Sequence, residues 1–271
     1  MNRTGFLLLG TLVVFILMLA ANVTASEKLP NPDVPIVLVH GAWGGAHDWR
    51  AVEKALNHLG YEVRRVSLTG QGERSHLISL ANDFDTHVKD VVNMVEFEYW
   101  EDEKIYLVGH SYGGSVITGV ASQIPHRLEG LIYVDAQMPT PDKMIGPDEL
   151  KEKEGAITGF NFLRDPTWPV YWEDPSGPKD VPHQAKTSLM SKSAFPKYDA
   201  AIKLPGSAII LAGPDWDEHG PYPDNKQLMY NTAKERGYYI IGKSWGHNAH
   251  RDNTEEFVPV LLDAIANMSN L

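Results

Sequence analysis

The stretch Val108-Gly109-His110-Ser111-Tyr112-Gly113-Gly114 decides the reading of this chain. It follows a β-branched apolar run at 105–108 and opens a helical pattern carried by Val116, Ile117, Val120 and Ala121. A Gly-x-Ser-x-Gly match alone is weak evidence, since ordinary glycine and serine usage gives one by chance in about one chain in ten of this length. Placed between a strand and a helix, the match becomes specific. A serine on so tight a turn has its Oγ lifted above the sheet edge, and side chains at 109 and 113 would collide with neighbouring backbone. The helix N-terminus behind Ser111 also turns amide N–H groups and a positive dipole end toward a developing oxyanion.

Outward from that stretch the same alternation repeats. Apolar runs at 36–39, 131–134, 207–211 and 238–241, and a further strand read at 61–66, are separated by helical patterns. One such pattern is Trp49, Val52, Leu56 and Leu59, closed by Gly60, and another is Val88, Val91, Val92 and Val95. A third covers 225–236 and stops at Gly237. The last runs through Phe257, Val260, Leu261 and Ala264, with Asn253 and Glu256 spaced as an N-terminal cap. Short, wholly apolar strands between helices predict an α/β fold with a mostly parallel sheet covered on both faces. The segment 138–204 breaks the rhythm with prolines and aromatics, including Phe160, Phe162, Trp168, Tyr171 and Trp172. It is too long for a plain loop and is expected to be an inserted cap that walls an apolar pocket.

A hydroxyl is a poor nucleophile near neutral pH and needs a base beside it. His247, in Trp245-Gly246-His247, is placed for that task in a loop after the run at 238–241, with His250 as a nearby rival. His58, His87 and His126 read as ordinary helix-surface or turn residues. The acid that orients the base is expected after the run at 207–211. Asp215 is preferred there and Asp217 is the alternative, with Asp135, after 131–134, as a third option that reads more simply as a strand-end residue. The loop His40-Gly41-Ala42-Trp43-Gly44-Gly45 should supply the second oxyanion donor, making the Ala42 and Tyr112 amides the pair. Trp43, Tyr112, Trp168 and Trp172 are candidate apolar walls for substrate, with core packing as the competing role.

Composition narrows the options. The 271 residues carry 24 Lys+Arg and 35 Asp+Glu, a net charge of −11, and no cysteine. Disulfide scaffolds, thiolate metal sites and cysteine nucleophiles are excluded. The acidic balance argues against binding of nucleic acid. No metal and no cofactor is called for. Arg3, the apolar residues 6–21 and Val23-Thr24-Ala25 predict a signal peptide at 1–25, cleaved after Ala25, and hence a periplasmic or secreted domain at 26–271. The rival is an uncleaved N-terminal membrane anchor.

These residues together resemble the α/β-hydrolase superfamily. The closer likeness is to its branch of plant methylesterases, hydroxynitrile lyases and related bacterial esterases. It is carried by His40-Gly41-Ala42-Trp43, Leu68-Thr69-Gly70-Gln71-Gly72-Glu73-Arg74-Ser75, 109–114, Tyr133-Val134-Asp135-Ala136 and Gly246-His247. The resemblance spans about 34–262 and is loose over 139–204. It implies a cofactor-independent Ser–His–Asp site under a small helical cap, acting on small-molecule esters. The lyases of the branch carry Thr where Gly41 stands and Lys where Asn248 stands, so this chain is expected to hydrolyse esters. The alternatives are a lyase on the same fold and a ligand-binding protein that retains the triad.

Overall fold

Successive side chains of a strand point to opposite faces, so a wholly apolar strand requires cover on both sides. Strand β1 (Ile36–Val39) has that cover in the computed structural model, which describes residues 29–42, 44–77, 82, 84–138, 161–162, 189–190, 206–213 and 224–268. Val37 and Val39 face one core, while Ile36 and Leu38 face a second core on the other side of the sheet.

The remaining strands are β2 (Val63–Val66), β3 (Ile105–His110), β4 (Leu128–Val134), β5 (Asn161–Phe162), β6 (Leu189–Met190), β7 (Ser207–Ala212) and β8 (Tyr239–Lys243). Six of them form a parallel sheet in the order β2-β1-β3-β4-β7-β8. The helices are α1 (Arg50–His58), α2 (Phe84–Glu98), α3 (Gly113–Gln123), α4 (Asp224–Glu235), α5 (Ala249–Asp252) and α6 (Thr254–Met268). Val88, Val91 and Val95 of α2, Val116, Ile117 and Val120 of α3, and Met229 and Ala233 of α4 pack into the first core. Val52 and Leu56 of α1, with Phe257, Leu261 and Ile265 of α6, pack into the second. The parallel α/β architecture expected from the alternation is the one observed.

Strand order reverses at β1, which has β2 on one side and β3 on the other. At such a switch point two loops leave the carboxyl edge in opposite directions and open a crevice between them. Val39 pairs with Gly109, His110 with Val134, and Val134 with Ile210, so β1, β3, β4 and β7 end nearly level. Strand β3 runs two residues past the expected Val108, because Gly109 and His110 continue the ladder with Tyr133 and Val134. Strand β2 begins at Val63 rather than Tyr61, whose buried ring instead turns its hydroxyl to donate to the Pro30 carbonyl.

Within the segment read as a cap, β5 and β6 pair antiparallel as a two-residue ladder. The rest of that segment beyond Met138, the N-terminal residues 1–25, and Trp43, Trp168, Trp172, Asp215 and Asp217 lie outside the described residues.

Candidate active site

The turn from β3 into α3 carries Ser111 in left-handed backbone, with φ 51°. A non-glycine residue there costs on the order of 1 kcal/mol or more, so its surroundings must enforce it. Ser111 N–H donates to the Val134 carbonyl at 3.2 Å, and its carbonyl accepts from Gly114 at 3.0 Å and Gln137 at 2.9 Å. The flanking glycines permit the turn. A Cβ at Gly109 would lie 2.6 Å from the Gly113 carbonyl oxygen, and one at Gly113 would lie 2.7 Å from the Val39 oxygen. These backbone atoms cannot yield as a side chain could.

Asp135, directly after the neighbouring strand β4, shares this conformation, with φ 40°. Among the described residues, Ser111 and Asp135 are the two non-glycine residues at positive φ. Asp135 Oδ2 lies 2.6 Å from His247 Nδ1. Its Oδ1 accepts from the Ala212 amide at 3.1 Å, and the Lys226 ammonium of α4 spans both oxygens at 3.0 and 3.1 Å. Burial alone would raise the Asp135 carboxyl, but the hydrogen bond and charge of His247, then those of Lys226, hold it below the usual carboxylate range. An ionised Asp135 accepts from Nδ1–H, which leaves Nε2 of His247 as the basic nitrogen.

For this role the sequence preferred Asp215, with Asp217 as the alternative and Asp135 third; the structure puts Asp135 on the imidazole, while Asp215 and Asp217 lie outside the described residues. Chain order from serine to acid to histidine is satisfied by Asp135 too, so order could not separate the candidates. What the sequence lacked was the inward turn after β4, which carries the Asp135 side chain to 2% exposure beside β7.

His247 sits in the loop after β8, before α5. His110, the residue preceding Ser111, donates from Nε2 to the His247 carbonyl at 2.9 Å, and the two rings lie 4.6 Å apart. His110 thereby ties the loop that carries His247 to the turn that carries Ser111. His250 packs on the other side of His110 at 4.3 Å and against Trp49 at 4.2 Å. Burial, ahead of the neighbouring charges, keeps both His110 and His250 well below the ordinary histidine range, so both are neutral. His250 is 1% exposed and neither ring nitrogen has a hydrogen-bond partner among the described residues. A general base must reach substrate, and His250 is enclosed, so burial argues against it in that role.

The loop after β1 is held from beneath. His40 Nε2 accepts from the Leu68 amide at 3.1 Å, so Nδ1 carries the proton and donates to the Gly41 carbonyl at 2.7 Å. Burial pushes this imidazole down to about 4, which keeps it neutral at working pH. The run Thr69-Gly70-Gln71-Gly72-Glu73-Arg74 braces the same loop. Glu73 accepts from the Ser67 hydroxyl at 2.8 Å, and that hydroxyl accepts from the Ala46 amide at 2.7 Å. Asp90 of α2 takes the Thr69 amide and hydroxyl at 2.6 and 2.8 Å and the Arg74 guanidinium at 3.0 Å. Ala42 thus leaves the end of β1, and Tyr112 opens α3, on either side of the crevice at the switch point.

The Tyr112 side chain is no pocket wall. It is 1% exposed, packs in the first core, and lies with its hydroxyl 2.9 Å from His87 Nδ1. His87 Nε2 is 2.9 Å from the Thr69 carbonyl, which accepts from an Nε2–H and makes Nδ1 the acceptor for the tyrosine hydroxyl. His87 is therefore a buried link between α2, the braced loop and the residue after Ser111, where the sequence suggested a surface histidine. Its place on the same helical face as Val88, Val91 and Val95 was the available signal. Among the described residues no group of three or more His, Asp or Glu side chains is arranged to hold a metal ion.

A parallel doubly wound sheet with a strained serine at its switch point defines a recognisable class. A model of the alpha/beta hydrolase family matches residues 36–260, and the chain belongs to that family. It is 45% identical over 103 residues to a carbendazim hydrolyzing esterase of a Nocardioides species, a stretch covering 38% of this chain and 42% of that protein's length. It is 27% identical over 217 residues to the pFDCC methylesterase MES16 of Arabidopsis thaliana, covering 76% of this chain and 78% of that one. The crystal structure of MES16 superposes with a TM-score of 0.62 at 21% identity, over 86% of this chain and 98% of that chain, a likeness of fold.

Proposed function

We propose that the chain is an exported serine esterase that cleaves carboxylic esters of small molecules through a Ser111–His247–Asp135 triad. The observation that carries this reading is the 2.6 Å contact of Asp135 with His247 Nδ1, beside a serine on a strained strand-to-helix turn. In this mechanism His247 Nε2 takes the proton from Ser111 as Oγ attacks the ester carbonyl. Asp135 stabilises the imidazolium that forms. The Ala42 and Tyr112 amides receive the oxyanion, each contributing about 3 kcal/mol to the transition state. The imidazolium then protonates the leaving alcohol, and water, deprotonated by His247, releases the acid from Ser111.

Gly41 supports hydrolysis over the lyase alternative. A Cβ there would lie 2.9 Å from His110 Nδ1 and 3.0 Å from Ser111 Cβ, so the threonine of the lyases would fit here only if these side chains shifted. The relatives named as esterases and methylesterases support an ester substrate, and methyl esters are the first to screen. The predicted signal peptide supports export. The test is labelling by a serine-directed fluorophosphonate, followed by hydrolysis of esters varied in acyl and alcohol parts. The labelled peptide should contain Ser111, and Ser111→Ala should abolish both labelling and hydrolysis. Wild-type hydrolysis by Ser111→Ala would overturn the reading.

A further inference from the structure

The triad carboxylate has a second charged partner. Lys226 Nζ lies 3.0 Å from Asp135 Oδ1 and 3.1 Å from Oδ2, while Oδ2 also faces His247. The Lys226 and Asp135 side chains are 19% and 2% exposed, so solvent screens this contact only in part. With the Ala212 amide on Oδ1, the carboxylate is fixed from β7, from α4 and from the base itself.

We propose that Lys226 is a positioning residue of the catalytic centre, whose ammonium holds the Asp135 carboxylate in place and takes up part of its charge, so that His247 faces a partly neutralised acid. This rests on the triad reading above. An imidazolium at His247 is attracted to Asp135 and repelled by Lys226, and the two effects oppose across a few ångströms. Among the described residues, the rings packed about the base are His110 from β3, against His247, and His250 from α5, against His110, both neutral through burial. Arg251, next to His250, has its charge paired with Asp48 at 3.6 Å and Asp252 at 3.4 Å. Among the described residues, Lys226 is thus the cation set directly against the acid. Without that charge the full carboxylate would attract an imidazolium at His247.

The experiment compares kcat/KM against pH for the wild-type chain, Lys226→Met and Lys226→Arg. The acid limb of Lys226→Met should move up by roughly one pH unit, and that of Lys226→Arg should stay with the wild type. If Lys226→Met does not fold, Lys226→Gln is measured in its place with the same expectation. A purely structural lysine would lower the rate at every pH without moving the limb, and that result would overturn the proposal. The His247 imidazole nitrogens, assigned by their loss in His247→Gln, are titrated in parallel by NMR without substrate. Absence of ester hydrolysis by the wild type would count against the reaction, while an unmoved NMR titration would count against Lys226.

Discussion

Asp135 Oδ2 and His247 Nδ1 stand 112 residues apart in the chain and 2.6 Å apart in space. Two parallel ladders bring them together: β4 ends level with β7, and β7 with β8, so the turn after β4 reaches the loop after β8 across the carboxyl edge. The serine arrives from the other side, on the strand that pairs with β4.

His110 should matter to the rate more than to binding, because this residue, directly before Ser111, holds the His247 carbonyl. His110→Ala is expected to lower kcat by about 10- to 100-fold, the scale on which small misplacements act, with little change in KM. His110→Gln, which can still donate to the His247 carbonyl, should recover much of the loss. Steady-state kinetics on one ester decides it.

His250 predicts a gain. Burying two ring nitrogens without partners costs about 1–3 kcal/mol for each unsatisfied group, and an apolar ring of similar shape escapes that cost. His250→Phe, packed between Trp49 and His110, should match or exceed wild-type stability at pH 7. The sign with pH follows from the lowered folded-state protonation: the unfolded wild-type chain takes up a proton at His250 below about 6.5, and the folded chain does not. The wild type therefore loses stability relative to His250→Phe as pH falls from 7 to 5. Urea unfolding at the two values measures the difference.

Asp90 should act as the keystone of the loop brace. Asp90→Ala leaves the Thr69 amide, the Thr69 hydroxyl and the Arg74 guanidinium without that acceptor. The expected loss is about 1–3 kcal/mol in chemical denaturation, along with a fall in kcat as the oxyanion loop loosens. Unchanged stability would mean that water replaces the carboxylate without cost.

The fold was legible because its signals are local. Residues 36–39, 105–110 and 207–212 are apolar enough to require a sheet covered on both faces, and Gly109 and Gly113 stand where only glycine fits the turn at Ser111. Ser111 and His247 could be singled out for the same reason, and the structure joins their two segments through His110. The partner of the His247 imidazole was not, because Asp135 and Asp215 each follow an apolar run and spacing cannot show that the turn after β4 bends inward. His87, His110 and Lys226 were also hidden. Each acts through a contact made between distant elements, and nothing in the immediate sequence of a helix records which charge or ring it will meet across the sheet.

The most direct test of the account is the rate of fluorophosphonate labelling of Ser111, read by mass spectrometry, in Asp135→Asn beside Asp215→Asn and Asp217→Asn. Loss of the acid of a Ser–His–Asp triad costs about 10,000-fold in kcat, so Asp135→Asn should label and hydrolyse esters slower by roughly three to four orders of magnitude, while the other two stay within a few-fold of the wild type. Labelling of Asp135→Asn at the wild-type rate, with the loss appearing in Asp215→Asn or Asp217→Asn, would contradict it.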